Sequence, residues 1–265
     1  MKISELNIFP IKSCKGFSAP SVELDAYGIV NDRRMMIVDT DGIALTQRDF
    51  HDLCFVEPIL SSDTLSLKAP GMNDLNVDTA DLGQNPIHVE VWDDACLGLD
   101  CGSDAAGWFS EYLHTACRLV RIDQTFVRPI DRNYSIRDEH VSFTDGFPML
   151  LISEASLADL NSRLNQPITM NRFRPNMVVE GCAPFDEDRW KKIDVGGLTF
   201  EVVKPCARCV VTTIDPTTGK SGDEPLRTLA TFRKTAEGKV MFGQNVIHVQ
   251  KSGTIRIGDQ VTIVN

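Results

Sequence analysis

The sequence predicts a mainly β fold with peripheral helices, an α+β chain in which strands dominate. Short alternating or β-branched runs recur along the 265 residues, bounded by Asp-Gly and Pro-Gly punctuation. Helical periodicity surfaces at few places. Many short strands at close spacing suggest a closed or nearly closed barrel. Hydrophobic content is 42%, enough for a sizeable core in one large domain or two of about 100–150 residues.

Ile3 to Phe9 alternates in part, and Pro10 breaks it. Pro10 to Gly16 reads as a basic loop, and Ser21 to Asp25 alternates again. Arg33 to Asp39 is expected as a strand, Thr40-Asp41-Gly42 as its turn, and Ile43 to Arg48 as the returning strand of a hairpin. Strands follow at Thr64 to Lys68 and Ile87 to Trp92. Ser103-Asp104 can cap a helix running to about Cys117. Residues 121–140, charged and poor in apolar side chains (Arg128, Arg137, Asp138), are expected as a surface loop dividing the chain into units of 1–120 and 121–265.

Pro148 to Ile152 reads as a buried segment leading to Ser153, a good N-cap for a helix from Glu154 to Leu164. Strands are expected at Asn176 to Glu180, Leu198 to Val203 and Val210 to Ile214. Pro225 marks a helix start. Three more strands close the chain: Val246 to Val249, Thr254 to Ile257, and Gln260 to Val264. No internal repeat is visible.

A net charge of −10 argues against non-specific nucleic-acid binding, though it allows a local basic pocket. Mean hydropathy is −0.12, and no apolar run approaches the roughly 20 residues of a membrane span. The start lacks signal- and transit-peptide character, so a cytoplasmic protein without membrane partners is expected. Of the eight cysteines, Cys54, Cys117 and Cys182 read as small core residues in a reducing compartment.

The chemistry is expected at Lys204-Pro205-Cys206-Ala207-Arg208-Cys209, where two thiols flank a fixed positive charge ahead of a β-branched run. A structural zinc site lacks a second ligand pair, because only Cys96 and Cys101 lie close together elsewhere. A thioredoxin-like pair needs a helix after its first cysteine, and an iron–sulfur cluster needs about four suitably placed cysteines. A fourth reading beside these puts one thiolate on a cofactor-borne metal whose anionic tail is held by basic residues. Candidates for that task are Lys12, Arg33, Arg172, Arg174 and Arg208. Arg172-Phe173-Arg174-Pro175-Asn176 can aim an arginine and an amide into one pocket, with Pro175 forcing an extended path.

These residues carry a family resemblance. Pro10-Ile11-Lys12-Ser13, Asp32-Arg33, Ser153 through Asn161, Phe173-Arg174-Pro175-Asn176 and Lys204 through Cys209 occur in order. Thr212-Thr213, Asp215-Pro216, Glu224-Pro225-Leu226, Phe242-Gly243-Gln244-Asn245, Gly253-Thr254-Ile255 and Gly258-Asp259 continue the series. The chain resembles MOSC-domain proteins that carry an N-terminal MOSC β-barrel domain, as bacterial molybdenum-cofactor reductases of N-hydroxylated compounds and amidoxime reducing components do.

The resemblance implies a MOSC β-barrel packed with the N-terminal barrel-like domain. It implies a molybdenum cofactor (molybdopterin), with Cys209 as metal ligand and catalytic residue. It places Lys12, Ser13, Arg33, Arg174 and Arg208 around the pterin and its phosphate, and Asp145, Asn176 and Ala207 at or near the same pocket. Pyridoxal phosphate binding and detoxification are also associated with the family. Cys206 is expected to be a packed neighbour. The implied reaction reduces hydroxylated bases or amidoximes, with small N-hydroxylated substrates and electrons from a separate ferredoxin- or flavin-type donor protein. Neither the C-terminal cysteine cluster of some bacterial relatives nor an N-terminal anchor is found in the sequence. Ala207 stands where relatives often have Ser. The rival reading is a carrier that delivers molybdenum cofactor or sulfur to other enzymes, because MOSC domains serve both roles.

Overall fold

The computed structural model describes residues 1–61, 64–78, 83, 85–123, 125–135, 137 and 139–264. The first half contains β1 (Lys2–Ile8), β2 (Phe17–Ser18), β3 (Ser21–Asp25), β4 (Gly28–Ile29), β5 (Met35–Asp39), β6 (Glu57–Leu60), β7 (Thr64–Lys68) and β8 (Leu75–Asp78). The hairpin of β9 (Asn85–Val91) and β10 (Asp94–Asp100) follows, then α1 (Ser103–Leu113) and β11 (Cys117–Ile122). The second half contains β12 (Met149–Ser153), α2 (Glu154–Arg163), β13 (Met177–Glu180), β14 (Lys192–Val195) and β15 (Leu198–Ala207). It ends with α3 (Leu226–Ala230), β16 (Met241–His248), β17 (Gly253–Arg256) and β18 (Val261–Ile263).

The protein is mainly β. Its largest sheet has eight strands in the order β18-β14-β15-β16-β12-β13-β1-β2. The sheet curls until β1 nears β18. There Ile3 donates its amide to the Asp259 carbonyl, and Val261 donates to the Met1 carbonyl. A single bridge, Lys2 to Gln260, joins these edges, so the barrel is nearly closed without a full closing ladder. Inward residues Ile3, Leu6, Leu151, Met177, Ile193, Phe200 and Val246 fill it, each at most 2% exposed.

A second sheet runs β5-β11-β10-β9 and is backed by α1 through Ala105, Trp108, Phe109 and Leu113. Smaller sheets are β17-β3-β4 and β6-β7-β8. Strands from the two ends of the chain therefore interleave: β1 pairs with β13, and β3 with β17. Among the described residues, no helix is long and apolar enough to cross a membrane.

Three local expectations are corrected. Ile43 to Arg48 is not a full returning strand. Only the bridges Val38–Ala44 and Ile43–Glu90 form. The chain then turns at Thr46, whose hydroxyl accepts from the Arg48 amide and whose carbonyl accepts from Asp49 and Phe50.

Val210–Thr213 forms one 3-10 turn in place of a strand. The Thr212 and Thr213 hydroxyls donate to the carbonyls of Cys209 and Val210, local bonds that outcompete the β preference of the run.

The span 121–140 begins inside β11 and is not simply a surface loop. Arg128 is 3% exposed; it donates to the carbonyls of Ser142 and Thr144 and pairs with Asp94. Residues 124, 136 and 138 of this span, and 265 at the end, lie outside the described residues.

Candidate functional site

Loops after β1, β4, β5 and β11 meet the ends of β12 and β15 and the approach to β13. They enclose a cavity of about 280 Å³. Lys12, Ser13, Arg33, Asp145, Arg174, Asn176, Ala207, Arg208 and Cys209, the residues singled out from sequence, all line it. So does Arg172, but its guanidinium is engaged by Asp215 at 2.9 Å and by the Thr213 carbonyl at 3.1 Å.

The basic residues are held by buried partners. Arg33 donates to Asp32 (2.7 Å), to the Asn176 side-chain oxygen (3.0 Å) and to the Arg174 carbonyl (3.1 Å). Asn176 is 1% exposed, and its amide nitrogen donates to the Asn7 carbonyl. Arg174 donates to the Cys14 carbonyl at 2.6 Å. Both guanidiniums lie over the ring of Phe9, at 4.3 Å and 4.2 Å from its centroid. Arg208 donates to the Phe173 carbonyl at 2.7 Å and to the Cys206 sulfur at 3.0 Å.

Local backbone follows the same demand. Ser13, Arg33 and Arg174 have φ of 67°, 47° and 55°, a region that costs side-chain-bearing residues energy and recurs at functional sites. Arg174 thus departs from the extended path expected ahead of Pro175. A 3-10 turn, Met170–Arg172, precedes it, and its amide donates to the Asn171 carbonyl.

Lys12 is 7% exposed and donates to the Phe143 carbonyl and to Asp145 at 2.5 Å. Burial pulls its ammonium below the usual lysine range, against the opposing pull of Asp145. Enclosure by the cleft walls acts to raise the Asp145 carboxyl. Lys12, then Arg33 and Arg48, outweigh this and hold it below the usual carboxylate range. Its side chain keeps 69% of its surface open, so this direction rests on the surrounding cations rather than on enclosure. Burial, then Arg33, pulls Arg174 down to about 9, which leaves it cationic at neutral pH.

The two cysteines differ in setting. Cys206 is half-buried on the cleft wall beside Arg208, not packed in the core as expected. The guanidinium that reaches Cys209 is Arg48, with Nη2 at 3.6 Å from Sγ, and not its sequence neighbour Arg208. Sequence reasoning missed Arg48 and Thr46, which also line the cleft beside the expected Lys204, and Trp92, which donates to Asp145 at 3.3 Å. The available signal was Thr46-Gln47-Arg48, a turn-forming threonine followed by a basic residue.

Among the described residues, no three His, Cys, Asp or Glu side chains converge as a metal site made by protein alone. What converges is two thiols, Cys206 and Cys209, with several cations. Among the described residues, Arg174 Nη2, Arg208 Nε and Thr144 Oγ1 are buried without a partner. Buried donors left this way mark a place for an acceptor-rich ligand. The arrangement suits an anionic group that brings a soft metal to a thiolate.

Residues 1–116 match the MOSC N-terminal beta barrel domain, and residues 138–262 match the MOSC domain. Mitochondrial amidoxime reducing component 2 of Bos taurus is 37% identical over 281 residues, covering 98% of this chain and 82% of that protein. Mitochondrial amidoxime-reducing component 1 of Homo sapiens is 34% identical, covering 99% and 82%. By this similarity over nearly its whole length, the chain belongs to the MOSC-domain family that includes the mitochondrial amidoxime reducing components.

Proposed function

We propose that the chain is a molybdenum-cofactor-dependent reductase of N-hydroxylated compounds, amidoximes among them, supplied with electrons by a separate protein. One observation carries this: the Cys209 thiol shares a cleft with buried guanidinium and hydroxyl donors that have no partner among the described residues. The family relationship to amidoxime reducing components supports it.

The residues present fit the cofactor. Cys209 is the thiolate ligand. Arg174 and Arg208 offer their unpartnered donors to its anionic tail, and Arg33 and Lys12 add positive charge. Asn176 orients Arg33, Ser13 turns the chain between Lys12 and Cys14, and Ala207 lets the backbone approach without a side-chain donor. Asp145 keeps the buried Lys12 paired. When bound, the cofactor supplies a two-electron centre able to accept oxygen from nitrogen. The overall reaction converts an amidoxime, two electrons and two protons into an amidine and water, with cleavage of the N–O bond. We further propose units of 1–120 and 121–265, the second carrying Cys209; the matched spans support this division.

The test is expression in a host that makes the cofactor, followed by molybdenum analysis and amidoxime reduction with an electron donor. One metal per chain and turnover are expected, and Cys209→Ala should abolish both. Cys206→Ala should lower cofactor retention by roughly tenfold, because it removes one of the two bonds that hold the Arg208 guanidinium. Metal-free protein whose Cys209→Ala variant is equally active would sink the proposal. Cofactor transfer to an acceptor protein without turnover would favour the carrier reading.

A further inference from the structure

Trp92 occupies the tight turn between β9 and β10, where Val91 pairs with Asp94. Its φ is 61°, a turn conformation that glycine or asparagine usually takes. A bulky side chain here is strained, and the residue is 49% exposed, so neither backbone preference nor burial explains it. Trp108 and Trp190 are buried, at 7% and 5%.

The ring is nevertheless fixed on two sides. Its Nε1 donates to Asp145 Oδ1 at 3.3 Å. The Arg48 guanidinium covers one face, 4.2 Å from the ring centroid, and reaches Cys209 Sγ at 3.6 Å with Nη2. An aromatic plane is thus anchored by two residues of the cleft, with aromatic surface left open. A cation on one face leaves the other available for stacking. The chain Cys209–Arg48–Trp92–Asp145–Lys12 links this plane to the thiol.

We propose that Trp92, held by Arg48 and Asp145, is the specificity-determining platform at the mouth of the cleft. Planar aromatic N-hydroxylated substrates stack on the indole face that Arg48 leaves open. The inference rests on the reductase reading for the N-hydroxyl group, but not for the planarity. Arg48 is a positioning residue, because it sets the plane of the indole relative to the sulfur.

Two measurements on the full chain test this. The first compares kcat/KM for benzamidoxime with that for acetamidoxime. Trp92→Leu should lower the aromatic-to-aliphatic ratio by about tenfold, and Trp92→Phe should recover most of it. An unchanged ratio, or equal loss on both substrates, overturns the platform.

The second is tryptophan emission, in which Trp92 is the exposed indole of the three. Benzamidoxime should quench it saturably, and acetamidoxime at the same concentration should not. The remaining emission of Trp92→Gly should not respond to either. Quenching that ignores aromaticity overturns the proposal. Selective quenching by a protein that reduces neither compound keeps the platform and removes the reductase reading; turnover of both compounds with an unchanged ratio in Trp92→Leu does the reverse. Trp92→Gly should match or exceed the wild-type unfolding midpoint, since glycine adopts this backbone freely. A marked drop would make Trp92 a structural residue and overturn its role.

Discussion

Phe9 serves two arginines at once. Its ring lies under Arg33 and Arg174, and its edge meets Gly16, where an added Cβ would stand 2.3 Å from Phe9 Cδ1 and 2.6 Å from the Ile8 carbonyl. The absence of a side chain at Gly16 is what lets the ring sit there. Gly16→Ala must therefore shift the ring or the backbone. We expect it to cost about 1–3 kcal/mol in chemical denaturation. Cofactor retention should fall as well, because both guanidiniums lose their shared support. Normal stability and normal metal content in this variant would contradict the arrangement. The arginines could be singled out from sequence because basic side chains suit an anionic cofactor and the family motifs run through them. Phe9 could not, because nothing local ties an aromatic residue to an arginine 165 positions away.

Elements were legible where their signals are local. Ser153 caps α2 as expected, accepting from the Ser156 amide at 3.1 Å. Less visible was Glu187, 1% exposed, which accepts from the Ser153 amide and from the Ser153 and Ser156 hydroxyls at 3.2, 2.9 and 2.7 Å. The cap therefore ties α2 to the segment before β14. Ser153→Ala removes both the cap and one donor to a buried carboxylate, and should cost about 2 kcal/mol. Ser153→Thr should recover part of this, read as the shift in denaturation midpoint. A loss below a few tenths of a kcal/mol would show that the carboxylate finds another donor. The turn after Cys209 shows the opposite case. β-branched residues favour a strand, and only the hydroxyl-to-carbonyl bonds of Thr212 and Thr213 reveal why the backbone coils.

At the scale of the whole molecule, the eight-stranded sheet and the β17-β3-β4 sheet share one core, with Val22, Leu24 and Ile255 packed among Phe200 and Val246. His248 of β16 pins them together. Its Nε2 donates to the Asp25 carbonyl at 2.6 Å, while Nδ1 is buried without a partner among the described residues. Protonation would place a second N–H where nothing accepts it. Burial, with Lys251, lowers this imidazole from the usual 6.5 to about 4, against the opposing effects of Asp25 and Glu139. The unfolded chain thus binds this proton more readily than the folded one. The stabilisation is present above pH 6.5 and is lost as the pH falls toward 4. Between pH 7 and 4.5 the wild type should lose about 2 kcal/mol more than His248→Gln, whose amide can still donate to Asp25. Denaturant titrations of both proteins at the two pH values measure this difference. Parallel losses would show that His248 does not carry the acid sensitivity of the joint between the sheets.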